Sequence, residues 1–301
     1  MLRIDAETAD SAGLLADLAS AAVRLHGRWV RPTVTWVRHF SVRAISDRRG
    51  GVHQAFLRDS WQAAVAQLAA VSAVTITAQV PGLLSQLALA AASGIRIPGT
   101  VVTSDPFLAG DLLPGSRVII KALHSHFVEA RPGLLSGVFP DVADLRLLQP
   151  ARGRWRPPVV VQEFIEHQLE LRIYYVHGVV IGFAVGKAEP ADPWVRPEQV
   201  TAVQVEVPAA VAAATRSLAT AMSIQYGAFD FLISDGEPVF LEVNLAGDWQ
   251  WIESRTGTTP VTTAVVRMLR DLHLTADARA RPAAGGRPPP IDLMTFLGGQ
   301  P

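Results

Sequence analysis

The sequence predicts an α+β protein built on antiparallel hairpins, on three observations. Residues 169–176 with 179–187, and 228–233 with 239–243, are largely apolar strands with a few charged residues, joined by short turn signals, His177-Gly178 and Asp235-Gly236-Glu237. Segments of helical period at 56–68, 83–92, 208–222 and 258–272 interrupt the strands rather than following them as a block. The composition is that of a folded chain, with 49% hydrophobic and 18% charged residues.

The 301 residues suit two or three lobes with a core of their own. Lys+Arg 27 balance Asp+Glu 27, so no cation surplus exists for coating nucleic acid. The absence of cysteine excludes disulfides, cysteine-zinc sites and a thiol nucleophile, and it fits a reducing cytoplasm. Arg3, Asp5, Glu7 and Asp10 follow Met1 too closely for a signal peptide. No run reaches about 18 uninterrupted apolar residues, so no membrane span is expected.

Taken in order, residues 2–5 read as a short strand and 34–38 as a second, bounded by Pro32. The helix at 56–68 has Phe56, Leu57, Trp61, Val65 and Leu68 on one side. A strand at 74–77 precedes the helix at 83–92, which Ser93-Gly94 stops. Strands follow at 97–103 and 117–123. Residues 129–156, rich in Gly, Pro and Arg, predict a mobile connection with a short helix at 142–148. A buried strand at 159–165 leads into the first hairpin, then an alternating strand at 203–207. Pro208 opens the next helix. The second hairpin and the helix at 258–272 complete the ordered chain, and residues 276–301 predict a disordered tail.

The chemistry concentrates on the hairpins. A three-residue loop at 235–237, with Gly236 left-handed, closes the second hairpin with a bulge and sets Asp230 opposite Glu242. Asn244 then shares their face, while Phe229, Phe231, Leu241 and Val243 point into the core. Two carboxylates and an amide oxygen suit Mg²⁺, a hard cation that shares its ligands with phosphates. A solvent-facing polar side of an amphipathic hairpin fits the same pattern. A two-residue turn at His177-Gly178 puts Glu170, Arg172 and Lys187 on one face. That face suits a polyphosphate and a ribose, or a cross-strand salt bridge.

These pieces resemble the ATP-grasp ligases in their order: Lys121 in Val-Ile-Ile-Lys, then Gln-Glu-Phe-Ile at 162–165, Glu-Leu-Arg at 170–172, Phe-Asp-Phe at 229–231 and Leu-Glu-Val-Asn at 241–244. The run from Glu242 to Glu253, with Asp248-Trp249-Gln250-Trp251, resembles a narrower branch, the microviridin-type or graspetide peptide maturases. Residues 97–106, Trp36-Val37-Arg38 and Asp192 to Arg196 resemble further segments of that branch. The resemblance implies an ATP-grasp fold with a reduced N-terminal α/β lobe at 1–95, and central and C-terminal lobes at 96–165 and 166–275 clamping ATP.

It also implies roles. Lys121 would contact ATP phosphates. Gln162, Glu163, Phe164 and Ile165 would form the hinge beside adenine, with Glu170 near the ribose. Arg172, Lys187 and Arg196 would serve the phosphates and the acyl centre, and Asp230, Glu242 and Asn244 would hold Mg²⁺. The implied reaction activates an Asp or Glu side chain of a ribosomal precursor peptide as an acyl phosphate, which an alcohol or amine attacks. The expected partner is that precursor, through leader and core. Neither nucleic acid nor membrane is expected, and a homodimer is left open. A ligase joining an amino acid to a small molecule or protein tail is the alternative, as is a degenerate peptide-binding module. The family carries a lysine just before the Gln-Leu that Gln86-Leu87 resembles, where Leu83 or a neighbour stands; that implies weak ATP binding unless Arg96, Arg117 or a residue of 129–156 replaces it. His124 and His126 have a strand-like spacing without a third ligand nearby. Trp249 and Trp251 read either as a stacking wall or as lobe packing.

Overall fold

The computed structural model describes residues 2–38, 40–45, 50–76, 81–123, 127–131, 134–137, 139–150, 156–192 and 196–280. His124, His126 and the 281–301 part of the expected tail lie outside them. The chain forms two compact units, one from residues 1–75 and 269–301, the other from 76–268. The expected lobe border at residue 95 falls inside the second.

In the first unit, β1 (Leu15–Asp17), β2 (Ala22–Leu25) and β3 (Arg28–Val30) form an antiparallel meander. Strand β4 (Val34–Trp36) and helix α1 (Gly51–Leu68) follow, and β5 (Val74–Ile76) pairs with β4. Residues 2–5 form no strand. A 3₁₀ turn, Ala6–Ser11, follows them and buries Ala6 and Ala9 against Ile45, Leu57 and Trp61. Burying these small side chains in a coil outweighs the extended preference of Leu2-Arg3-Ile4.

The second unit opens with α2 (Leu83–Ala92), where Leu87 and Ala90, one turn apart, are both buried. A four-stranded antiparallel sheet has the order β10-β7-β11-β6. Its strands are β6 (Thr100–Thr103), β7 (Arg117–Ala122), β10 (Asp141–Asp144) and β11 (Val159–Glu163). Between β7 and β10, β8 (Phe127–Arg131) and β9 (Leu134–Gly137) form a separate hairpin. Of the expected mobile stretch, 129–131, 134–137 and 141–144 are therefore paired in strands. The helix expected at 142–148 is instead β10 followed by one 3₁₀ turn, Leu145–Leu147. Register with β7 holds Val142 and Ala143 extended, and the Asp144 carboxylate accepts the Arg146 N–H, so helical geometry begins only there.

The larger sheet has the order β14-β13-β12-β15-β16, all antiparallel, with β12 (Leu169–Val176), β13 (Val179–Gly186), β14 (Thr201–Val205), β15 (Tyr226–Ser234) and β16 (Glu237–Asn244). One face buries Leu171, Ile173, Phe229, Phe231, Phe240 and Val243 beneath α2 and α3 (Ala209–Ala221). The chain ends its described course in α4 (Gln250–Thr256) and α5 (Pro260–Ala280). Helix α4 was not expected, being too short to show a period, and α5 runs eight residues beyond its expected end at 272. No described helix is long and apolar enough to cross a membrane.

The edge strand β16 is closed in two ways. Phe240 donates its N–H to the Arg96 carbonyl, and the buried Gln86 amide makes both backbone bonds to Val243, accepting at 2.8 Å and donating at 3.2 Å. Gln86→Leu leaves a buried N–H and C=O without partners. It is expected to cost about 2 kcal/mol, read as a lower urea midpoint at unchanged slope; an unchanged midpoint would show that water replaces the amide.

Candidate active site

Strand register assembles the site. The turn His177-Gly178 links Val176 to Val179 with both φ positive, at 46° and 92°, as a two-residue hairpin loop demands. On the face away from the α2–α3 core, three rows of side chains cross the sheet. Phe183, Arg172, Asp230 and Glu242 make the middle row. Val185, Glu170, Leu232 and Val239 lie on one side of it, and Ile181, Tyr174, Ala228 and Asn244 on the other.

Asp230 does face Glu242, by a route other than the one expected. The loop is two residues, Asp235 at φ 55° and Gly236 at φ 80°, and Ser234 pairs with Glu237. Such a loop alone would set Asp230 against Leu241. The bulge lies between the pairs Asp230–Glu242 and Phe231–Phe240, and it makes up the one-residue difference. Leu241 is the extra residue. It leaves the core and packs with Ile165, Leu232 and Val239, while Phe240 takes the core position beside Phe229 and Phe231. An apolar patch thus adjoins the charged row, which strict alternation could not reveal.

The charges pair across strands and sheets. Arg172 Nη1 donates to both Asp230 oxygens, at 2.7 and 2.6 Å, with the two side chains 17% and 19% exposed. Lys187 donates to Glu170 at 2.6 Å. Lys121, on the neighbouring sheet, lies 3.7 Å from Glu242. Burial raises the Asp230 carboxyl above its ordinary range, helped by Glu242 and opposed by Arg172. Burial also works against the Arg172 charge, but the Asp230 carboxylate outweighs it and holds the guanidinium protonated. Arg172 Nε is buried without a hydrogen-bond partner among the described residues.

Gln162 lies on the face of its sheet that carries Lys121, but its amide is buried and donates to Thr100 Oγ1 at 3.0 Å. Glu163 accepts the Gly99 N–H at 3.0 Å, so its carboxylate ties the end of β11 to the start of β6. Arg117 stacks on Phe164 at 3.8 Å. Glu163, Phe164 and Ile165 border a cleft of about 400 Å³ that reaches Asp235. Arg196 is held by the fully buried Asp192, which also accepts the Ala188 and Glu189 N–H groups. That carboxylate ties Arg196 to the turn just after Lys187. Asn244 is exposed, and its Oδ1 accepts the Ala246 N–H at 2.9 Å. Leu83 packs against the core under the large sheet, so a side chain there points away from Glu242. Trp249 is buried, with its indole N–H on Thr262, and serves packing.

The donor set fits Mg²⁺. Asp230, Glu242 and Asn244 supply hard oxygens from one face, and each carboxylate keeps lone pairs beyond its present partner. Among the described residues no three His, Asp or Glu side chains form a closed cage, so ligands from phosphate and water would complete the shell.

No family model and no curated protein matches the sequence. Solved structures do. The macrocyclase MdnC of Microcystis aeruginosa MRC, bound with precursor peptide MdnA, has a TM-score of 0.69 at 19% identity, over 90% of each chain. The macrocyclase MdnB of the same organism reaches 0.65 at 21%, over 89% of each. A RiPP-associated ATP-grasp ligase of Chryseobacterium gregarium, in complex with ADP and a leader and core peptide, reaches 0.63 at 20%, over 83% of this chain and 80% of that one. The chain has the ATP-grasp fold.

Proposed function

We propose that the chain is an ATP-dependent carboxylate ligase acting on a ribosomal precursor peptide in the cytoplasm. The observation that carries this is the middle row: two adjacent carboxylates, Asp230 and Glu242, countered by two cations, Arg172 and Lys121, that reach them from different strands. The likeness to macrocyclases and ligases solved with precursor peptides supports the choice of substrate.

The row works by exchange of partners. Asp230 and Glu242 would hold the metal, which would leave Lys121 and Arg172 free for phosphate oxygens. When bound, Mg²⁺ supplies Lewis-acid neutralisation of the transferring phosphoryl group. The buried apolar cluster of Ile165, Leu232, Val239 and Leu241 would pack beneath a base, and Glu170 in the adjoining row would face the ribose. Lys187 and Arg196, tied together through the Asp192 turn, would be the cations that meet the charge of an acyl phosphate on the peptide. The chain contributes orientation and charge and needs no covalent nucleophile.

Because each cation is occupied by a carboxylate, ADP without Mg²⁺ is expected to bind at least about 10-fold more weakly than with it. Isothermal titration of ADP with Mg²⁺ and with EDTA reads this directly, and equal affinities would remove the carboxylate row from the nucleotide site. The reaction is tested by incubating the protein with ATP, Mg²⁺ and its cognate precursor peptide. Mass spectra should show losses of about 18 Da, one water for each ester or amide formed. An amino acid added to a small acceptor would favour the other ligase reading, and ADP binding without any product would favour a binding module.

A further inference from the structure

We infer that Tyr174 and Tyr226 are positioning residues, a pair of buried phenols that set the geometry of the metal-binding loop; this rests on the nucleotide-site reading above. Tyr174 and Tyr226 are 0% and 1% exposed. Tyr174 donates its hydroxyl to the Asp248 carbonyl at 2.7 Å, and Tyr226 donates to the carbonyl of the preceding residue, Gly247. Two side chains from neighbouring strands thus grip consecutive peptide planes.

Those planes belong to the turn that leaves Asn244. The Asn244 Oδ1 accepts from Ala246, and the Gly247 N–H returns to the Asn244 carbonyl at 3.3 Å. The turn also crowds Arg172. A Cβ on Gly247 would lie 2.5 Å from Ala228 Cβ and 3.2 Å from Arg172 Nη2, so only glycine fits. Tyr174 shares its row with Asn244, and its ring lies 5.8 Å from the Arg172 guanidinium. Behind the turn, the Trp249 ring meets Tyr226 at 5.5 Å, edge-on. Phenylalanine would fill both cavities equally well. What the hydroxyls add is a fixed orientation for Gly247 and Asp248, and through them a fixed place for Asn244 and for one wall of the Arg172 site.

The test uses the full-length protein with Tyr174→Phe, Tyr226→Phe and the double variant. Thr215→Val is the control, since it removes a buried hydroxyl bond from α3 far along the chain from the turn. Two readouts are taken: deuterium uptake by residues 244–250 without nucleotide, and ADP affinity across a Mg²⁺ titration. The double variant is expected to exchange about 10-fold faster in 244–250. It should need about 10-fold more Mg²⁺ for half-maximal ADP affinity, with ADP affinity in EDTA unchanged. The control should change neither. Unchanged exchange, an unchanged Mg²⁺ requirement, or the same changes in Thr215→Val would each overturn the inference. Failure of the parent protein to bind ADP with Mg²⁺ would overturn the nucleotide-site reading itself, and it is seen before any variant is made.

Discussion

Glu242→Gln is expected to lower ligation at least about 100-fold while the protein stays folded. The substitution keeps shape and hydrogen-bonding capacity and removes one charge from the carboxylate pair. Glu242 is the looser member of that pair, a third exposed and 3.7 Å from Lys121. Losing that contact should therefore cost about 1 kcal/mol of stability or less. The catalytic loss is larger because charge neutralisation by a held metal is worth several kcal/mol at the transition state. Initial rates of water loss by mass spectrometry, with melting temperature measured on the same samples, separate the two. Near-parental turnover would take the hairpin out of the active site.

Arg172→Met has the opposite signature, a large loss of both stability and activity. The guanidinium is the group that binds both Asp230 oxygens, in a place where both side chains are more than four-fifths buried. Removing it leaves a desolvated carboxylate next to Glu242, which is expected to cost about 3 kcal/mol. Adding Asp230→Leu removes the stranded charge as well, so the double variant should recover most of the stability and none of the ligation. Urea unfolding of parent, single and double variants measures the recovery. If the single variant is as stable as the parent, Asp230 has found another partner and the pair does not organise the row.

Both predictions draw on residues that the sequence already singled out, and the reason is the locality of hairpins. Alternation and a turn signal are enough to place Glu170, Arg172 and Lys187 on one face; Asp230 meets Glu242 only because a bulge adds the residue that the two-residue loop lacks. Elements whose preferences agree with their tertiary surroundings were equally legible. Helix α2 spans the residues its apolar spacing and Ser93-Gly94 stop predict, 83–92. Where a local preference had to yield to a distant partner, the reading went astray. Residues 142–144 are extended because β7 lies beside them, and α4 is too short to carry a period.

From the sequence alone came the α+β class, the order of the motifs and the two hairpins, all of which depend on residues near one another in the chain. The tertiary structure decided the rest. It placed the bulge at Leu241 rather than in the loop, so that Leu241 faces the site and Phe240 the core. It turned Leu83 inward, buried the Gln162 amide on Thr100, and gave β16 an edge partner in Gln86, 157 residues away. It also chose which cation meets which carboxylate, and it brought Tyr174 and Tyr226 onto the turn after Asn244. Alternation states which face a side chain takes but not what waits there. A bulge moves that face by one residue at little local cost, and only packing against Phe229, Phe231 and Ile165 makes one position for it the most stable.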